Sequence, residues 1–320
     1  MPIPRSMVWI FSFGLMVLGA GVVSGQDYPN KSIRIVTAVP GGTGDVTARL
    51  IARGLSGSFG QQVIVDNRPS GVIPAEIVAK APPDGYTLLF YTTALWILPL
   101  LQEAPYDPVR DFSPITLATS SPNILIVHPS VAANSVKELI ALAKARPGEL
   151  NYGSSGVGSS ARIAAELFKA MAGVNFMHVP YKGSGLVIIA LLGNEVQLNF
   201  SPAAAVAPHI KSGKVRALAV TSAQPSALFP GLPTVAASGL PGYEIVNRAG
   251  ILAPAKTPAA IINQLNQEIV RFLNQAEVKE KFIGIGLEAT PGSPEQFAAK
   301  IKSEMTMTGK VIKDAGIRAN

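Results

Sequence analysis

An α/β protein of two similar lobes is what this sequence predicts, on three observations. After Pro29, short apolar runs alternate with helix-length amphipathic segments. The strand-like runs lack polar alternation, the pattern of parallel strands buried on both faces. One order of strand, glycine loop and helix occurs twice, over residues 34–52 and 150–165, and the helix openings match, Thr47-Ala48-Arg49-Leu50 against Ser160-Ala161-Arg162-Ile163.

Taken in order, residues 33–39 predict a strand and 45–55 a helix. Residues 63–65 and 86–91 predict further strands, the latter set up by the turn Pro83-Asp84-Gly85. Ser135 with Glu138 three positions on is a capping box that opens a helix, which stops at Arg146-Pro147-Gly148. Thr257-Pro258 starts another helix, with Ile261, Ile262, Leu265, Ile269, Phe272 and Leu273 on one face. Ser293 and Gln296 open the last one. Right-handed crossovers connect such units.

Composition excludes several classes of function. The chain has 320 residues, 48% hydrophobic and 15% charged, against the roughly 25% charged of an average globular chain, so charge-driven disorder is excluded. A net charge of +7 with no run of basic residues offers no nucleic-acid face. The absence of cysteine removes disulfides, thiolate metal sites and cysteine nucleophiles together. His128, His178 and His209 stand far apart in sequence, so neither a metal site nor a histidine-based catalytic centre is expected.

Residues 1–25 have the composition of a signal peptide. Arg5 supplies the positive start, residues 7–23 are uncharged and mostly apolar, and Val23 and Gly25 provide small residues for cleavage before Gln26. A membrane anchor is the competing reading. The stretch lies at the lower edge of the ~17–25 residues a span needs and is softened by Ser12, Gly14, Gly19 and Gly21. The expectation is a soluble chain outside the cytoplasm.

The two glycine loops are the candidate site. Backbone amides ahead of a helix, together with the positive end of its dipole, attract an anion. Gly41, Gly42 and Gly44 permit close approach in the first loop, and Gly156 and Gly158 in the second; Thr43, Ser155, Ser159 and Ser160 add hydroxyls. Neither loop carries the lysine of a phosphate-binding loop or the spacing of a dinucleotide fingerprint, and Val157 replaces the last glycine of a nucleophile elbow. A small carboxylate gripped between two lobes fits what is left. The competing reading is two ordinary strand-to-helix connections with Asp45, Ser159 and Ser160 as helix caps. Asp45 would repel a carboxylate placed against it, so capping, a bound water or a ligand ammonium is expected there.

Sequence motifs extend the reading: YPNKSI at 28–33, PGGTGD at 40–45, NRP at 67–69, PDGYT at 83–87, PYDPVRDF at 105–112, LNYGSSG at 150–156, HVPYKG at 178–183, PHIKSG at 208–213, LPGY at 240–243 and KDAGI at 313–317. In this order they resemble the tripartite tricarboxylate transporter substrate-binding proteins, or Bug receptors, over essentially the whole chain after residue 26. The resemblance implies a periplasmic-binding-protein-like fold with a hinge, residues 27–122 plus 248–320 in one lobe and 123–247 in the other. It implies a monomeric periplasmic receptor, without cofactor or catalytic residue, that hands a small carboxylate to a membrane permease; signalling through a membrane sensor kinase is the alternative. It implies ligand contacts at Gly41, Gly42, Thr43, Gly44 and Asp45, at Ser155, Gly156, Val157, Gly158 and Ser159, and at Thr92 and Thr93. Two departures stand out. Ser201 follows Phe200 where relatives commonly carry aspartate, which would remove selection for an ammonium. Arg248 stands where an aromatic is frequent, either gripping a second ligand carboxylate or lying solvated beside the hinge. Trp96 is read as a cleft-side reporter or as lobe packing.

Overall fold

The computed structural model describes residues 28–41, 43–69, 71–155 and 159–317. The signal-peptide expectation for 1–25 and the candidate residues Gly42, Gly156, Val157 and Gly158 lie outside them.

The first half runs β1 (Ile33–Thr37), α1 (Thr43–Phe59), β2 (Val63–Asn67), α2 (Ile73–Ala79), β3 (Thr87–Thr92), α3 (Ala94–Leu101) and β4 (Phe112–Val127). The chain continues through α4 (Val136–Ala145), β5 (Asn151–Ser154), α5 (Ser160–Ala172), β6 (Met177–Pro180), α6 (Ser184–Leu192), β7 (Leu198–Pro202), α7 (Ala203–Lys211) and β8 (Arg216–Val220). It returns with β9 (Val246–Pro254), α8 (Ala259–Leu273), α9 (Ala276–Gly284), β10 (Glu288–Ala289) and α10 (Pro294–Asp314). The predicted strands and helices of both glycine-loop units are present, within a few residues of their expected ends.

One sheet order, β2-β1-β3-β9-β4-β7-β5-β6, links the two halves, with β8 and β10 also beside β4. The outer strands are parallel as expected: β1 with β2 and β3, and β5 with β6 and β7. The centre is not. β4 and β9 run antiparallel, from Phe112 opposite Pro254 to Pro122 opposite Val246. From Asn123 onward, β4 pairs instead with β7 and β8. The change of partner falls between Pro122 and Asn123. Proline cannot donate to a ladder, and near Pro114 the register shifts by a bulge.

Each half has its own apolar core. Ile35, Ile51, Leu55, Ile251 and Leu265 cluster in the first, and Leu125, Phe168, Phe200 and Tyr243 in the second. Gly54 is needed where α1 crosses α8, because a Cβ there would lie 2.4 Å from the Phe272 ring. Helix α10 straddles the halves. Phe297 and Ile301 pack with Leu89 and Trp96, whereas Val311 belongs to the cluster of Leu125 and Phe168. Its start is a full capping box: Gln296 N–H donates to Ser293 Oγ at 3.2 Å, and Ser293 N–H to Gln296 Oε1 at 3.0 Å. At α4 the box is half formed. Ser135 caps the helix, but the Glu138 carboxylate accepts from Asn134 N–H.

Candidate functional site

Between the halves lies a recess of about 210 Å³, lined by Thr92, Thr93, Ala94, Ile97 and Leu98 from the first half, by Ser160 from the second, and by Asn247 of the crossing strand β9. Helix α3 begins at this wall. Thr93 N–H donates to Arg248 O at 2.8 Å, and Ala94 N–H reaches Thr92 Oγ1 at 3.3 Å. Helix α5 opens from the other side, capped by Ser159, whose side chain accepts from Arg162 N–H at 3.3 Å. The first turns of α3 and α5 and the hydroxyl-bearing residues Thr92, Thr93 and Ser160 therefore line one space. That is the electrostatics of an anion site.

The first glycine loop is held by its own aspartate. Gly41, at φ +84°, donates its N–H to Asp45 Oδ2 at 3.0 Å. Asn67 Nδ2 donates to Asp45 Oδ1 at 2.9 Å, and Arg49 Nε lies 3.0 Å from the same oxygen. Burial alone would raise the Asp45 pKa, but these donors outweigh it and hold the carboxyl below the ordinary value of 3.8. Asp45 sits inside the first turn of α1 and ties the loop down, so it is neither a simple N-cap nor a free carboxylate. Gly41, Thr43 and Gly44 surround it without lining the recess. The second loop is described at Ser155 and Ser159, on the approach to α5.

Two candidate residues are placed otherwise than expected. Arg248, 8% exposed, grips no open space and is not solvated. Its guanidinium pairs with Glu304 of α10 and with Glu244, four residues back. Glu304 also accepts from Trp96 Nε1 at 3.0 Å, and Glu244 from Lys300 Nζ at 3.1 Å. Burial pushes Glu304 above the ordinary carboxylate range against the pull of Arg248. Burial would also raise Glu244, but Arg248 and Lys300 outweigh it and hold Glu244 low. Trp96 is fully buried and packs edge-to-face on Phe297, so it is core and not a cleft-side side chain. Ser201, opposite Ile124 in β7, is buried and does not line the recess; its hydroxyl has no partner among the described residues.

Ser154 Oγ lies 2.7 Å from His178 Nε2, which resembles the start of a nucleophile–base pair. The rest of the arrangement contradicts that. The other ring nitrogen meets the Arg162 guanidinium, and burial together with Arg162 pushes the imidazole down to about 4. The nearby carboxylate, Glu166, already accepts from Tyr152 OH at 2.5 Å and pairs with Arg162 and Lys169. A base weakened to this degree, with a cation where the orienting carboxylate belongs, is packing chemistry. Among the described residues, no group of three His, Asp or Glu side chains could hold a metal ion, and no helix is long and apolar enough to cross a membrane.

Sequence reasoning missed Asn123, Asn247, Glu244 and Glu304. A local signal existed for the first of these: Ser120, Ser121, Pro122 and Asn123 interrupt an otherwise apolar strand.

Two α/β halves joined by long crossing strands, with a recess between them, define a solute-binding receptor of the two-lobed type. The chain belongs to the tripartite tricarboxylate transporter receptor family, whose sequence model matches residues 47–317. It is 36% identical over 314 residues to the protein BugT of Bordetella pertussis, covering 95% of this chain and 96% of that protein. The structure of R. palustris Rpa4515 with adipate is similar at 38% identity and a TM-score of 0.73, covering 91% of this chain and 99% of that one. A ligand-free TctC solute-binding protein from Polaromonas, 26% identical, gives a TM-score of 0.81 over 90% of this chain and 99% of its own.

Proposed function

We propose that the chain is a periplasmic receptor that closes its two halves around a small carboxylate and delivers it to a membrane permease of the tripartite tricarboxylate type. The observation that carries this reading is the meeting of the starts of α3 and α5, with the residues Thr92, Thr93 and Ser160, at the recess. Adipate in a 38% identical relative supports a carboxylate as the guest. The composition of residues 1–25 supports export, and the poor base at His178 supports binding without turnover.

The hinge falls where β4 changes partner, at Pro122 and Asn123, and where β9 begins, at Val246 and Asn247. Closure then brings the loops at 41–45 and 155–159 onto the ligand, and the closed form is the one a permease recognises. Isothermal titration calorimetry with adipate and related acids, after mass spectrometry of any ligand that copurifies, tests the reading. Binding that raises Tm is expected; no heat from any acid refutes it.

A further inference from the structure

Helix α3 carries no polar side chain from Ala94 to Leu101, although it begins at the wall of the recess. Its apolar residues divide by direction. Leu95 and Trp96 are fully buried in the first half. Leu100 faces α10, where a Cβ on Gly309 would lie 3.9 Å from its Cδ2. Ala94, Ile97 and Leu98, spaced three and four positions apart on one face, line the recess. Ile97 also packs against apolar clusters of both halves, which fixes it in place. Leu98 differs. It is half-buried and belongs to none of the apolar clusters formed by the described residues. A leucine held at a recess without a core of its own has apolar surface left for a guest to cover.

The hydrogen-bonding groups of the lining gather around the start of α3. Thr93 N–H donates to the carbonyl of Arg248, the neighbour of Asn247, and Asn247 and Ser160 share Asn123 Oδ1 as an acceptor. The hydroxyls and the Asn247 amide can both donate and accept, so a guest group placed among them is satisfied. The stripe from Ala94 to Leu98 runs away from them for about 6 Å, at 1.5 Å per residue. A hydroxyl on the part of the guest lying against Ile97 and Leu98 loses its water and meets only hydrocarbon.

We propose that Ile97 and Leu98 are specificity-determining residues that cover the hydrocarbon body of the guest, so that acids with unsubstituted middle carbons bind in preference to the same acids carrying a mid-chain hydroxyl. The proposal rests on the receptor reading above and adds the kind of body the guest has between or beyond its charged groups.

The test uses pairs differing by one hydroxyl: glutarate and 3-hydroxyglutarate, adipate and 3-hydroxyadipate, hexanoate and 3-hydroxyhexanoate. Calorimetry on the full chain without residues 1–25 gives the affinity ratio within each pair. The wild-type chain prefers the unsubstituted acid by at least about tenfold in the pair it binds best, the cost of leaving one hydroxyl without a partner. Leu98→Asn nearly keeps the shape of leucine while offering a donor and an acceptor, and it shifts that ratio at least about fivefold toward the hydroxy acid. Leu98→Met keeps the wall apolar and leaves the ratio within about twofold. Ile97→Thr, also at a half-buried position, shifts the ratio the same way as Leu98→Asn and serves if that variant does not fold. Damage to the fold alone lowers both members equally and leaves the ratio unmoved. A wild-type ratio below about threefold, or polar variants with the wild-type ratio, overturns the proposal but not the receptor. No heat from any of these acids overturns both.

Discussion

Replacing Arg248 with methionine removes the cation from a buried cluster that holds two carboxylates. Glu304, 8% exposed, loses its ion-pair partner and keeps the hydrogen bond from the Trp96 indole N–H. Breaking a buried pair by deleting one partner costs about 3–5 kcal/mol. Protonation of Glu304 relieves part of this, so a loss of about 3 kcal/mol at pH 7.5 is expected. At the roughly 2–4 °C per kcal/mol of chains of 150–250 residues, Tm falls by about 6–12 °C. The pH dependence has a definite sign. Glu304 is already raised in the folded state by burial, and losing Arg248 raises it further. A carboxyl that holds its proton more tightly when folded penalises stability above its folded pKa, and the penalty fades as pH falls through that value toward the unfolded one. The deficit at pH 5 is therefore smaller than at pH 7.5. Scanning calorimetry at both pH values measures it. Adding Glu304→Leu to Arg248→Met recovers at least half the loss, because an apolar pair replaces an orphaned charge. A deficit below about 1 kcal/mol, an equal deficit at both pH values, or a selective loss of adipate over hexanoate binding without destabilisation would refute the assignment of Arg248 to the fold.

Asp45→Asn removes the charge that holds Gly41, Asn67 and Arg49. Because Asp45 is depressed in the folded state, its contribution is present above the unfolded pKa and is lost as pH falls through the folded one. The variant is about 1–2 kcal/mol less stable at pH 7, and urea unfolding repeated at pH 3 shows the gap narrowing; a constant gap contradicts the role. Ser201→Ala deletes a buried hydroxyl that has no partner among the described residues. Stability holds or rises by about 1 kcal/mol, and adipate affinity stays within twofold; a tenfold loss of affinity would return Ser201 to the ligand site.

What the sequence revealed and what it concealed divide along one physical line. Strand–loop–helix units, the Ser293 box and the buried stripe of Ile262, Leu265 and Ile269 on α8 are written in residues three or four apart, so each was legible alone. The crossing strands were not. β4 carries Pro114, Pro122 and a run of threonine and serine that masks strand periodicity, and its pairing with β9 joins residues more than a hundred positions apart. Arg248 shows the same limit. Glu244 lies one helical turn away in sequence, but Glu304 lies 56 residues on, and only the docking of α10 reveals that the guanidinium is engaged inside the protein. The Asn123–Asn247 pair spans 124 positions. Resemblance to a family pointed to the glycine loops and Thr92-Thr93, and it carried no information on which side chains would turn to one another beneath them.

A crystal structure of the chain grown with adipate tests the carboxylate seat most directly. The account predicts one carboxylate between the α3 and α5 N-termini, within hydrogen-bond distance of Ser160 or Thr93, and the two halves rotated together about residues 122–123 and 246–247. Adipate bound elsewhere, or bound with the halves unmoved, would contradict it.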